Sequence, residues 1–290
     1  MSAYENRYWW SNDGLRLHYR DYPGDDTRPP ILCLPGLTRN ARDFDDFAAR
    51  LAGQWRVIAV DLRGRGESAY AKDPMTYVPL TYVQDIEALL GELGIDRYIA
   101  AGTSLGGIIT MLLAGTARGR IVAALLNDVG PEIEAAGLAR IRNYVGKSGS
   151  FPTWMHAARH VAETNGDVYP DWTIEHWLGM AKRLYRLNSS GRIVLDYDLK
   201  IAEPLRVPGN DAGPDMWRAL AGLRGIPTLI VRGALSDVLS SSVAERMAEA
   251  LDMAELVIVP DVGHAPLLTE DDLQAPVARL LARAQTNVAA

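Results

Sequence analysis

Gly102-Thr103-Ser104-Leu105-Gly106 places a serine between two glycines in the pattern G-x-S-x-G. A serine hydroxyl attacks a carbonyl only when a base removes its proton, and that base needs a carboxylate to orient it. The pentapeptide stands where the apolar run 97–101, read as a strand, gives way to a helical pattern over 105–116. A sharp strand-to-helix turn strains the serine backbone, requires small residues on both sides and exposes Oγ above a sheet. It also puts the hydroxyl at a helix N-terminus, where backbone amides favour developing negative charge. A loop serine with incidental glycine neighbours is the alternative; the flanking strand, the helix and the additional Gly107 speak against it.

Five histidines can be considered as the base: His18, His156, His160, His176 and His264. His18 falls in an early strand pattern and the next three in a long insertion. His264 follows directly on the apolar run 256–259, in Asp261-Val262-Gly263-His264-Ala265-Pro266. Strand-end loops are where catalytic groups gather in an open α/β sheet, so His264 is the expected base. Two aspartates compete to be its partner. Asp237 follows the run 227–231 and gives the chain order Ser, Asp, His; Asp128 follows the run 121–126. The expected triad is Ser104, Asp237 and His264, with Asp128 as the competitor, while Asp61 and Asp261 read as loop-structuring residues.

These groups need a scaffold, and the pattern supplies one. Compact apolar runs at 15–19, 30–34, 55–60, 97–101, 121–126, 227–231 and 256–259 alternate with helical periodicity. That alternation predicts an α/β protein with a mostly parallel sheet covered by helices on both faces. Asn12-Asp13-Gly14 signals a turn in an early hairpin, and Thr81 with Gln84 resembles a capping box ahead of a helix that stops at Gly94. From 131 to 211 the rhythm changes: several amphipathic segments and Trp154, Trp172 and Trp177 occur, with no convincing strand. The expected organisation is a core of 1–130 and 212–290 with a helical cap at 131–211 lying over the carboxyl end of the sheet.

The assembled motifs resemble the α/β-hydrolase superfamily, in the branch that carries a helical cap between strands six and eight. The markers are Leu34-Pro35-Gly36-Leu37, Asp61-Leu62-Arg63-Gly64-Arg65-Gly66-Glu67-Ser68, the turn at Ser104, the Gly233/Asp237 loop and the Gly263-His264 loop. The resemblance implies an eight-stranded α/β-hydrolase fold and an oxyanion hole formed by the backbone amides of Leu37 and Leu105. The superfamily usually has His-Gly where this chain has Pro35-Gly36; the donor is a backbone amide, so the hole is expected to survive the change. Thr38, Arg39 and Asn40 lie just beyond, and Arg39, Trp154 and Trp177 are the candidate substrate contacts. Serine in place of aspartate at the turn separates the chain from relatives that open epoxides or displace halide, and points to acyl chemistry. The expected activity is therefore hydrolysis of an ester or related acyl bond of a small molecule. Carbon–carbon hydrolysis of ring-cleavage products and lactone hydrolysis are alternatives within the same fold, and a non-catalytic ligand receptor is one outside enzymes.

Composition narrows the field further. The 290 residues carry a formal net charge of −6 with no basic run to neutralise phosphates, so nucleic acid is not an expected partner. No apolar run approaches the ~20 residues that span a bilayer, and the N-terminal residues lack a signal-peptide pattern. The single cysteine, Cys33, sits in a strand pattern and suits a reducing, cytoplasmic setting. No Cys/His cluster calls for a metal, and the expected chemistry needs no cofactor. Because the base must be neutral to accept the serine proton, activity should fall as His264 is protonated. A rate profile that stays flat between about pH 5 and 8 would remove His264 from that role.

Overall fold

The computed structural model describes residues 4–116, 119–207 and 214–288. In chain order the strands are β1 (Glu5–Trp10), β2 (Arg16–Tyr22), β3 (Ile31–Leu34), β4 (Val57–Asp61), β5 (Tyr98–Thr103), β6 (Ile121–Asn127), the short β7 (Ser150–Phe151), β8 (Tyr185–Leu187) and β9 (Ile193–Leu195), then β10 (Thr228–Gly233) and β11 (Ala254–Val259). The helices are α1 (Asp45–Leu51), α2 (Pro79–Glu92), α3 (Leu105–Thr116), α4 (Ala135–Tyr144), α5 (Trp154–Asn165), α6 (Ile174–Leu184), α7 (Met216–Leu220), α8 (Ser241–Ala250) and α9 (Asp271–Val288). No helix among the described residues is long and apolar enough to cross a membrane.

Eight strands form one sheet in the order β1-β2-β4-β3-β5-β6-β10-β11. The β1–β2 and β2–β4 pairs are antiparallel and all later pairs are parallel. This is the mostly parallel sheet that the apolar runs imply, with the eight strands that the resemblance implies. Its central strands β3, β4, β5, β6 and β10 are buried on both faces, and the side-chain period of two divides each between two cores. Leu32 and Leu34 of β3 join Ile58, Ala100 and Leu126 against α2, α3 and α8. Ile31 and Cys33 join Val57, Ile99 and Val231 against α1 and α9. Cys33 is fully enclosed, and burial pushes its thiol far above the ordinary range.

Strands β6 and β10 are neighbours although some hundred residues of chain separate them. The intervening segment therefore leaves the sheet and returns beside its point of departure. It lies against the loops after β3 and β11: Tyr169 Oη donates to Ala265 O at 2.9 Å, Gly263 N to Val168 O at 2.8 Å, and Asn40 Nδ2 to Arg183 O at 2.9 Å. It holds α4, α5 and α6 and, contrary to the expectation of no strand, a three-stranded antiparallel sheet in the order β7-β9-β8. Strands of two or three residues are too short for a period-two pattern to emerge. The end expected at 211 lies outside the described residues.

Helix α2 also begins differently from its sequence signal. Val78 is the N-cap with no side-chain cap bond, and Pro79 opens the helix, so Thr81 and Gln84 do not form a capping box. A proline with its fixed φ and missing N–H sets the first turn instead. The C-terminal stop is as expected: Gly94 adopts φ +63° and Ile95 N returns to Leu90 O.

A buried cation ties the loop after β4 to α2. Arg63 donates to both oxygens of Asp85 at 2.7 and 2.6 Å and to both oxygens of Asp13 at 2.9 and 3.0 Å. The Arg63 and Asp85 side chains are 1% and 3% exposed, whereas Asp13 is 48% exposed. The two contacts should thus differ in weight. Asp85→Ala strands a buried charge and should cost about 3–5 kcal/mol. Asp13→Ala should cost about 1 kcal/mol or less. Urea unfolding midpoints of the two variants measure the difference, and equal shifts would contradict it.

Candidate active site

The turn between β5 and α3 carries Ser104 at φ +53°, a left-handed conformation that a non-glycine residue adopts at a cost. Its neighbours explain how the strain is held. Ser104 N donates to Asn127 O, and Ser104 O accepts from Gly107 N, both at 2.9 Å. A Cβ on Gly102 would sit 2.3 Å from Gly106 O, and one on Gly106 would sit 1.9 Å from Leu34 O. Both glycines are therefore required by backbone approach, at the crossing of α3 with β5 and β3. The motif read from sequence is a steric necessity here.

Ser104 Oγ lies 2.9 Å from His264 Nε2, and His264 Nδ1 lies 2.8 Å from Asp128 Oδ2. A carboxylate only accepts, so the proton belongs on Nδ1 and Nε2 is left to accept from the serine hydroxyl. Asp128 is fully buried at the end of β6 and takes φ +55°. Its oxygens also accept from Gly233 N at 2.9 Å and Ser236 Oγ at 2.6 Å. Those donors satisfy the buried carboxylate while leaving it aimed at the imidazole.

The acid expected from sequence is thus corrected: Asp128, not Asp237, meets His264. Asp237 turns instead toward the inserted segment, where Arg140 of α4 donates to its two oxygens at 2.5 and 2.7 Å. That hydrogen-bonded guanidinium holds the Asp237 carboxyl below the usual carboxylate range. Strand order supplies the reason for the difference. The end of β6 adjoins β5 and its serine turn, whereas the end of β10 lies one strand further away. The Asp237 loop still takes part, because its Ser236 supplies a hydroxyl to Asp128.

Leu105 opens α3, so its N–H has no intrahelical acceptor. Leu37 N makes no hydrogen bond among the described residues, and Leu37 O accepts from Arg65 Nε at 2.9 Å. Arg65 is itself completely buried, so the loop after β3 is gripped from beneath. Asp61 steadies the same loop, with Oδ1 accepting from Ala41 N at 2.7 Å and Oδ2 bound to His18 Nδ1 at 2.7 Å. His18 is therefore a structural histidine, and Asp61 the loop-structuring residue expected.

Of the candidate substrate contacts, Arg39 is brought to the site. A Cβ on Gly36 would lie 3.2 Å from Arg39 Cγ and 3.6 Å from Ser104 Cβ. Trp154 and Trp177 pack instead within the apolar cluster around α5 and α6. Trp177 is 5% exposed and Trp172 is sandwiched by Tyr169 and His176, so these tryptophans serve chiefly to hold the segment together. Sequence reading missed Arg140, Tyr144 and Ser236. The four-residue spacing of Arg140 and Tyr144 on one helical face was the available signal.

The sheet order, the serine turn and the histidine loop define an α/β-hydrolase, and the chain belongs to the alpha/beta hydrolase family, whose family model matches residues 31–280. It is 35% identical to a 3-hydroxybutyrate-oligomer hydrolase of Cupriavidus necator over 88% of this chain and 89% of that protein. The crystal structure of an alpha/beta hydrolase from Novosphingobium aromaticivorans superposes with a TM-score of 0.94 at 58% identity, covering 98% of this chain and 99% of that one. A putative hydrolase from Rickettsia typhi gives 0.84 at 27% identity over 98% and 99%. The family and the Cupriavidus necator relative are both hydrolases.

Proposed function

We propose that the protein is a serine hydrolase that cleaves a carboxylic ester of a small molecule through an acyl-enzyme. The carrying observation is the unbroken hydrogen-bonded chain from Ser104 through His264 to the buried Asp128. In this reading His264 Nε2 takes the Ser104 proton as Oγ attacks the ester carbonyl. Asp128 holds the imidazole in its Nδ1–H tautomer and stabilises the imidazolium that results. The amides of Leu37 and Leu105 receive the oxyanion, a contribution of roughly 3 kcal/mol per donor in comparable sites. His264 then protonates the departing alcohol. Water, deprotonated by the same imidazole, releases the acid from Ser104 and restores the hydroxyl.

The segment following β6 serves as a lid that frames the ester, and its hydrogen bonds to the histidine loop through Val168 and Tyr169 support that role. The name of the Cupriavidus necator relative makes short hydroxy-acid esters the first substrates to try. The single, enclosed Cys33 suits a cytoplasmic setting.

Release of p-nitrophenol from p-nitrophenyl butyrate tests the reading. Ser104→Ala should remove turnover. Asp128→Asn should lower kcat by about 10⁴-fold, the order seen when a triad carboxylate loses its charge. Asp237→Asn should retain turnover within about tenfold, since it removes only an ion pair beside the site. Undiminished activity in Ser104→Ala, or a larger loss in Asp237→Asn than in Asp128→Asn, would refute the assignment.

A further inference from the structure

Two arginines lie beside the residues of the hydrogen-bonded chain, Arg39 next to Ser104 and Arg140 on Asp237, the residue after Ser236. Arg39 rises from the loop after β3, its stem beside Gly36 and the serine. Arg140 descends from α4 to Asp237, next to the Ser236 that bonds Asp128. Tyr144 stands one helical turn beyond Arg140, with its hydroxyl at Thr38, and both guanidiniums act on it electrostatically. Desolvation pushes the Tyr144 phenol up, yet 41% of the residue is exposed.

Both guanidiniums retain donors. Arg39 holds Asp43 through Nε and Nη2 at 2.5 and 2.6 Å, and Arg140 holds Asp237 through the same pair of nitrogens. A guanidinium has five donors and a bidentate partner takes two. Beyond Asp43, Nη2 of Arg39 meets Met180 Sδ at 3.0 Å, a weak acceptor. Arg140 makes no further hydrogen bond among the described residues, which leaves its Nη1 edge unspent. The aspartates fix each fork in place, so little side-chain entropy remains to be lost when an anion arrives. Each anchored planar fork offers the paired donors that a carboxylate accepts from.

We propose that Arg140 and Arg39, together with Tyr144, bind a carboxylate of the substrate, so that the enzyme selects esters carrying a free acid within a few bonds of the scissile carbonyl. The inference rests on the serine-hydrolase reading and adds its substrate class. A linear dimer of a short hydroxy acid has this form, with the acid on the alcohol that departs. The Asp237–Arg140 pair then has a function that a triad role for Asp237 would exclude: the aspartate sets the anion-binding arginine.

The test uses the linear dimer of 3-hydroxybutyrate as its free acid and as its uncharged terminal methylamide, following release of 3-hydroxybutyrate. Wild type should favour the free acid by at least about tenfold in kcat/KM, the scale of one charge-assisted hydrogen bond. Arg140→Gln should reduce that ratio by roughly ten- to a hundredfold, mainly through KM for the acid. The ratio is independent of how much of a variant is folded, because both substrates sample the same active fraction. Equal rates for the two dimers in wild type, or a ratio unchanged by Arg140→Gln, would overturn the carboxylate site. Ester turnover that survives Ser104→Ala would instead overturn the serine-hydrolase reading beneath it.

Discussion

A backbone approach that only glycine permits lies under the nucleophile. At Gly106 helix α3 passes so near β3 that a single methyl group would overlap Leu34 O, and Gly102 faces Gly106 in the same way. This contact lets β5 turn directly into a helix and drives Ser104 to φ +53°. The hydroxyl then stands clear of the sheet while the first turn of α3 lies behind it. Strain of this kind costs of order 1–3 kcal/mol and persists only where the surroundings over-determine it. Here β3 and β6 flank β5, and Asn127 and Gly107 hold the serine backbone on both sides.

Around that turn the protein surrounds its loops with buried charge rather than extra apolar volume. Asp61 collects Ala41 N, Glu67 N and His18; Arg63 joins Asp85 and Asp13; Arg65 holds Leu37 O. The residues of the Asp61–Ser68 motif thus support the loop bearing Leu37 and Arg39 without touching the hydroxyl at Ser104. Asp128 follows the same logic at the neighbouring strand end, where one donor from the last residue of β10 and one from the loop after it satisfy it. A buried carboxylate without such donors would leave acceptors unpaired at a cost.

The sheet was legible because every one of its parallel strands is a short apolar run closed by a turn; which core each side chain joins was not, since a strand that is apolar on both faces shows no alternation. Ser104 and His264 were legible because glycine spacing and strand ends constrain them locally. The carboxylate was not, since Asp128 and Asp237 both follow strands and only the pairing order, a long-range property, tells which stands beside β5. The short strands β7–β9, the proline start of α2 and the packing role of Trp154 and Trp177 were hidden for related reasons. Each is decided by tertiary contact, not by the few residues that form it. Arg140 and Tyr144 acquire meaning only when α4 is laid over the loop carrying Thr38.

The central claim is that Ser104, His264 and Asp128 act as one unit, with the carboxylate working only through the imidazole. The most direct measurement is kcat/KM on one ester for His264→Ala, Asp128→Asn and the double variant. Residues acting as a unit are strongly non-additive. The double variant should therefore be no more than a few-fold slower than His264→Ala alone, about the residual left by the oxyanion hole and binding. Losses that multiply, with the double variant slower by the product of the two single effects, would mean that Asp128 acts independently of His264 and would contradict the account.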